Sequence, residues 1–328
     1  MSKSFPQSRL GADDWENWAF QATPLFKWAG GKRRFIIGNS DRFPSFSGTY
    51  HEPFAGSLAV YFWMAAKSEI PLKARLSDAN LRLIRTYQAV KSDPKGVWES
   101  LSELIEAFKK SSDAASFYYK VREEFNLSNP KGDAPRFMFL MATGWNGVYR
   151  TNLSGKFNVP FGNNEKLPKF PTELDVFVAS TVLQHADLRA CSWETSLNAA
   201  SAGDFVFLDP PYLVANDRES TIYEKIKSFS FSDHQRLANE LVALKNRGVD
   251  FMLTNSFSTA LVSMYRDLGL SVDVVSARRS ISAKIEARGE EGELIVTAGK
   301  SNFEKTESER NFNLAMRLMK ARKEKDDE

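Results

Sequence analysis

The sequence predicts an α/β protein with a mostly parallel sheet, an antiparallel hairpin at one edge and a helical insertion. Three observations carry this. Short apolar runs that end at Gly, Asp, Asn or Pro alternate with helical patterns, as in sheets covered by helices on both faces. The last two runs have no long helix between them, which fits a hairpin. The alternation also stops between residues 94 and 174, where helical patterns give way to loops rich in Gly, Asn and aromatics.

The expected strands are Thr49–Pro53, Ala74–Asp78, Leu188–Trp193, Phe205–Asp209, Val249–Asn255, Val272–Ser276 and Glu293–Ala298. A helix is expected over Ser57–Ala66. Another is expected over Asp233–Asn246, with Ser232 or Asp233 capping its first turn and Gly248 past its end. Within the insertion the helical stretches are Val97–Lys110, Ala114–Phe125 and Ala134–Thr143. The expected division is therefore a discontinuous α/β domain of residues 23–93 and 175–300, an inserted domain of residues 94–174, and a charged tail of residues 301–328. Around Phe312, Leu314, Met316 and Leu318 that tail has the pattern of an exposed helix.

Of 328 residues, 42% are hydrophobic and 26% charged, which excludes collagenous, coiled-coil and disordered classes. At roughly 150 residues per domain, about two domains are expected. The net charge is only +3, so a basic surface for a polyanion would have to be local. A single cysteine, Cys191, excludes a disulfide framework and argues against a cysteine-based zinc site. His51, His185 and His234 lack metal-ligand spacing, so no metal is expected. No apolar run reaches the roughly 18 residues of a membrane span. Residues Met1 to Phe20 lack the apolar core of a secretory signal. A cytoplasmic monomer or weak dimer is expected.

The sharpest chemical signal is Leu208-Asp209-Pro210-Pro211-Tyr212, directly after the apolar run Phe205-Val206-Phe207-Leu208. An Asp at the carboxyl end of a strand stands where open α/β sheets bind ligands. Two prolines then fix the backbone. A carboxylate, a directed carbonyl and a rigid aromatic face together suit the holding of a planar amine. A second signal is Phe26-Lys27-Trp28-Ala29-Gly30-Gly31-Lys32. Its paired glycines permit close backbone approach, and Lys32 offers a point charge for an anion. A third is His51-Glu52-Pro53-Phe54-Ala55-Gly56-Ser57, a glycine turn between strand and helix. Asp78 follows Gly56 by 22 positions, at the end of the next strand. In dinucleotide folds an acidic residue about 20 positions past the glycine turn binds ribose hydroxyls.

Taken in order, these segments resemble the Dam-type DNA adenine-N6 methyltransferases, which use S-adenosylmethionine. The resemblance runs from about Pro24 to Lys300. Lys27-Trp28-Ala29-Gly30-Gly31-Lys32, Glu52-Pro53-Phe54-Ala55-Gly56 and Ser77-Asp78-Ala79-Asn80 are similar to the family's cofactor motifs. Asp209-Pro210-Pro211-Tyr212 is similar to its catalytic motif. Phe117-Tyr118-Tyr119-Lys120-Val121-Arg122, Asn146-Gly147-Val148-Tyr149-Arg150 and Phe157-Asn158-Val159-Pro160-Phe161-Gly162 are similar to its target-recognition segments. Two departures stand out. Family members carry Gly-x-Gly where this chain has Gly56-Ser57-Leu58-Ala59, so the turn is expected to differ there. The segment Arg278–Gly292 is longer and more charged than the family pattern.

The resemblance implies a Rossmann-like, seven-stranded methyltransferase sheet with an antiparallel edge hairpin and a mainly helical target-recognition insertion. It implies that Trp28, Gly30, Lys32, Phe54, Gly56, Asp78 and Asp209 bind S-adenosylmethionine, and that Asp209, Pro210 and Tyr212 face a flipped adenine. It further implies that Lys27, Trp145, Asn146, Val148 and Arg150 meet double-stranded DNA, with GATC a candidate target and restriction-modification a candidate setting. Lys27, Lys32, Arg33, Arg34, Arg150, Lys156 and the Arg278–Arg279 pair are candidate phosphate contacts. The alternatives are an RNA or protein amine methyltransferase, a non-catalytic DNA-binding relative, and a nucleotide-dependent oxidoreductase. The absence of a full Gly-x-Gly-x-x-Gly speaks against the last.

Overall fold

The computed structural model describes residues 21–128, 133–162, 167–213, 229–278 and 290–299. Its strands are β1 (Tyr50–Glu52), β2 (Ala74–Asp78), β3 (Ala186–Ala190), β4 (Phe205–Leu208), β5 (Asp250–Ser256), β6 (Ser271–Arg278) and β7 (Glu290–Thr297). They form one seven-stranded sheet in the order β3-β2-β1-β4-β5-β7-β6. The pairs β2–β3, β1–β4 and β4–β5 are parallel, whereas β7 runs antiparallel to both β5 and β6. The expected mixed sheet and edge hairpin are therefore present. Strand order reverses between β1 and β4, the kind of switch point beside which open α/β sheets bind ligands.

The helices are α1 (Arg33–Asn39), α2 (Ala59–Lys67), α3 (Leu81–Ser92), α4 (Pro94–Lys110), α5 (Ala114–Leu127), α6 (Ala134–Thr143), α7 (Glu173–Leu183), α8 (Trp193–Leu197), α9 (Phe231–Asn246) and α10 (Thr259–Asp267). The chain forms two compact units. Among the described residues, one unit runs up to residue 40 and from 52 to 196, the other from 41 to 51 and from 197 onward.

In the first unit, Asn80 caps α3 by accepting from the amides of Arg82 and Leu83. The helix buries Leu83, Ile84, Thr86, Tyr87 and Val90. Asp93 caps α4, Pro94 begins it, and Val97, Leu101, Ile105 and Phe108 form its buried stripe. Almost wholly apolar, α6 packs against α3, α4 and α5.

In the second unit, β4 is buried along its whole length, as an apolar run of Phe-Val-Phe-Leu requires. Asp204, just before it, accepts from the Thr49 amide at 2.7 Å and lies 3.0 Å from His51 Nε2. Burial opposes ionisation of Asp204, but amide donation from Thr49 and Ser201 outweighs it and holds the carboxyl below its ordinary range.

Most element ends shift by a few residues from expectation, and three of the differences have a clear local cause. β3 begins at Ala186 and stops at Ala190. Trp193 belongs to α8, where Ser192 receives the Thr195 amide and turns the chain out of the sheet. The cap of α9 is Ser230, not Ser232 or Asp233. Its hydroxyl accepts from the Asp233 amide, and the Asp233 carboxylate accepts from the Ser230 amide, closing a capping box. The helix expected from Ser57 starts at Ala59, because Leu58 adopts a left-handed backbone. Residues 1–20, Arg279 and the tail of residues 301–328 lie outside the described residues.

Candidate active site

In the first unit, β2 ends at Asp78, whose carboxylate is tied to two turns at once. Oδ1 accepts from the Asn80 amide at 2.8 Å, and Oδ2 accepts from the Gly56 amide at 3.2 Å. Gly56 is held from its other side by the Tyr87 hydroxyl, which donates to its carbonyl at 3.0 Å. Gly56 has φ +46, and a Cβ there would stand 2.9 Å from Trp28 Cδ1. The turn therefore needs glycine for conformation and for clearance. Burial pushes the Asp78 carboxyl above its ordinary range, opposed by the Asn80 and Gly56 amides.

Trp28 joins the glycine turn to an aromatic cluster. Its ring stacks on Phe137 and on Tyr149, with centroids 6.4 Å and 6.0 Å apart, and meets Phe26 at 6.2 Å. Gly30 has φ +79 and lies in the turn closed by the Gly31 amide on the Trp28 carbonyl. Phe54 is half-buried beside that turn in sequence. Lys32 is only 5% exposed, so it cannot act as an open surface contact for phosphate. Arg33 and Arg34 remain exposed.

The same unit gathers the expected DNA-facing residues. A Cβ on Gly147, where φ is +64, would come within 2.6 Å of Lys27 Cβ, so the Lys27 backbone passes directly against the Asn146-Gly147 turn. Asn146 itself has φ 53, a conformation that asparagine tolerates better than most residues. Trp145 is 54% exposed, which rules out a core role for it. Val148 is half-buried. Arg150 and Asn158 face one another across a hairpin: the Asn158 amide donates to the Arg150 carbonyl, and Arg150 Nε donates to Asn158 Oδ1 at 2.9 Å.

In the second unit, Asp209 directly follows β4 and is part-exposed. Pro210 is buried and Tyr212 is half-buried. Thr254 on β5 donates from Oγ1 to Asp209 Oδ1 at 3.1 Å. The Asp-Pro-Pro-Tyr segment thus leaves the carboxyl end of a central strand with its carboxylate already engaged on one oxygen.

Three partners were not singled out from the sequence. Tyr87 sits on the buried face of α3, where a tyrosine hydroxyl needs an acceptor. Thr254 ends the apolar run Phe251-Met252-Leu253 at a buried position. Asn158 lies in a segment similar to the family's recognition segments, and its oxygens accept from Arg150. The first two carried a detectable signal, a buried hydroxyl in an apolar pattern.

Comparison with known proteins gives a family match and several relatives. The profile of the D12 class N6 adenine-specific DNA methyltransferases matches residues 28–281. The chain is 34% identical to the type II methyltransferase M.MjaIII of Methanocaldococcus jannaschii, over 82% of this chain and 96% of that protein. It is 30% identical to the type II methyltransferase M1.LlaDCHI of Lactococcus lactis, over 84% and 94%. Against the DNA adenine methylase of Escherichia coli K12 the identity is 31%, over 83% and 93%.

Proposed function

The chain belongs to the D12 class N6 adenine-specific DNA methyltransferase family, and we propose that it moves a methyl group from S-adenosylmethionine to the exocyclic N6 of an adenine flipped out of duplex DNA. The observation that carries this reading is Asp209-Pro210-Pro211-Tyr212 at the carboxyl end of β4, the strand beside the reversal in strand order.

Asp209 and the Pro210 carbonyl accept the two N–H groups of the adenine amine, which turns the nitrogen lone pair out of conjugation and toward the electrophile. Tyr212 stacks on the base. The carboxylate orients the amine and supports the positive charge that develops on nitrogen. The proton leaves afterward to water, because the methylated, ammonium-like nitrogen is strongly acidic. Bound S-adenosylmethionine supplies an electrophilic sulfonium methyl. The buried carboxylate that Asp78 holds at the end of β2, beside a glycine turn with the Trp28 ring packed against it, fits such a ligand's ribose and its ring. Asp78 would accept from ribose hydroxyls, while Trp28, Gly30, Lys32 and Phe54 complete the cofactor surface.

Extrusion of an adenine costs a few kcal/mol. Trp145, with half its surface open, is suited to filling the gap left in the duplex. Lys27 and Arg150 are the proposed base readers, with Asn146 and Val148 beside them and GATC as the proposed target. In this reading residues 94–174 form the target-recognition domain.

Labelled cofactor incubated with duplexes that contain or lack GATC tests the target, and sequencing of methylated adenines from expressing cells identifies it directly. Equal labelling of both duplexes ends the GATC assignment. Asp209→Ala is expected to lower turnover by about 100- to 1,000-fold while leaving the fold intact; near wild-type transfer in that variant would falsify the role of Asp209.

A further inference from the structure

β5 runs apolar through Phe251-Met252-Leu253 and then changes to Thr254-Asn255-Ser256. Thr254 is nevertheless fully buried. β4 lies on one side of it, in parallel register up to Leu208↔Leu253, and β7 on the other, where Thr254 faces Ile295. One further step along that register sets Thr254 level with Asp209. A buried hydroxyl is costly unless it is paired, and this one donates to Asp209 Oδ1 at 3.1 Å.

We propose that Thr254 is a positioning residue for methyl transfer: its hydroxyl fixes the rotation of the Asp209 carboxylate, so that the adenine amine meets one orientation of the acceptor. The inference rests on the reading of Asp209 as the group that grips the amine. Two features of the surroundings support it. Prolines 210 and 211 fix the backbone beyond Asp209, which leaves the carboxylate torsion as the main freedom at this point. Thr254 is β-branched and flanked by strands on both sides, so its χ1 is restricted and Oγ1 cannot follow a turning carboxylate. A bond to an ionised acceptor is also stronger than a neutral one. Serine in its place would retain the donor, whereas valine would retain the shape and lose it.

The test compares Thr254→Val, Thr254→Ser and Thr254→Ala with the wild type, using S-adenosylmethionine and genomic DNA that lacks adenine methylation. In Thr254→Val, kcat is expected to fall about 10- to 100-fold, the size of effect that a misplaced catalytic group produces. KM for both substrates should stay within about twofold, because the hydroxyl acts on orientation rather than on binding. The acid limb of the kcat profile should move to higher pH, since the ionised carboxylate loses a donor. Thr254→Ser is expected to recover most of the rate. Should Thr254→Val fail to fold, Thr254→Ala takes its place in the same comparison. An unchanged kcat and pH profile overturns the assignment, and so does a loss that serine does not restore. Asp209→Ala separates the two ideas. If it stays active, the reading of Asp209 fails. If it is inactive while Thr254→Val matches the wild type, only the role of Thr254 fails.

Discussion

The Gly56 amide donates to the Asp78 carboxylate at 3.2 Å across 22 positions of chain, so the glycine turn and the acidic strand end form one unit. With Tyr87 on the Gly56 carbonyl, both polar groups of that peptide turn are fixed before any ligand arrives. Asp78→Asn keeps the size but sets an amide N–H where a carboxylate oxygen accepts. Loss of a charge-assisted bond is worth about 1.5–3 kcal/mol. The expected outcome is a weakening of S-adenosylhomocysteine binding by roughly tenfold or more in calorimetry. In the proposed cofactor site, a ribose contact at Asp78 needs the ionised carboxylate. Burial holds the Asp78 carboxyl above its ordinary range, so affinity should begin to fall, on acidification, at a higher pH than an exposed aspartate would give. Asp78→Asn should lack that decline.

Leu58 occupies the position where the family pattern carries a second glycine, and it does so at φ 58 and ψ 27 with its side chain fully buried. The left-handed conformation costs a non-glycine residue about 1–2 kcal/mol. Burial of the leucyl side chain offsets that cost. Leu58→Ala retains the strain and opens a cavity, for an expected loss of about 2–5 kcal/mol. Leu58→Gly opens the same cavity but removes the strain. The glycine variant should therefore be more stable than the alanine variant by about 1 kcal/mol in urea unfolding, the reverse of the order in a helix interior. A glycine variant less stable than the alanine one would show that the strain is absent.

Much of the fold was legible because its signals are local. The apolar run at Phe205–Leu208, the stripe of α4 and the antiparallel pairing of β6 with β7 each follow from neighbouring residues. β3 was misplaced because Ala186-Asp187-Leu188-Arg189-Ala190 is a sparsely apolar edge strand, while the more apolar Trp193 is the first residue of a helix. The same limit governs the site. Asp209, Gly56 and Asp78 stand in short motifs. Their partners Thr254 and Tyr87 lie 45 and 31 positions from Asp209 and Gly56, and only the register of the strands and the packing of α3 bring them together.

Arg150 is tethered on its Nε side by Asn158, and its Nη2 also approaches the Asn158 carbonyl at 3.4 Å. Asn158 thus engages the Nε–Nη2 edge of an otherwise exposed side chain. A bidentate arginine–guanine contact is worth about 1–3 kcal/mol of discrimination. Arg150→Lys should lower kcat/KM on the preferred site by about 10- to 100-fold and leave the rate on a duplex without that guanine almost unchanged. Asn158→Ala should move the ratio the same way by a smaller factor. Paired kinetics on the two duplexes check this. A proportional loss on both would make Arg150 a phosphate contact instead.

His234 offers a stability test independent of catalysis. It is fully buried on α9, and among the described residues neither ring nitrogen has a hydrogen-bond partner, while the Phe229 ring stands edge-on at 4.7 Å. Burial pulls its pKa down to about 4, with Asp233 opposing the shift. An unfolded histidine titrates near 6.5. Between those values the unfolded chain binds a proton that the folded chain does not, so stability falls as pH drops through that window. The full contribution is roughly 3 kcal/mol, reached near pH 4. Asp233, held at about 2 chiefly by the Ser230 hydroxyl, contributes at lower pH and does not blur the window. His234→Leu should flatten the dependence of urea stability on pH between about 6.5 and 4. At pH 7 it should be at least as stable as the wild type, because leucine buries no unpaired nitrogen. If the two proteins keep parallel slopes across the window, the buried imidazole is not the titrating group.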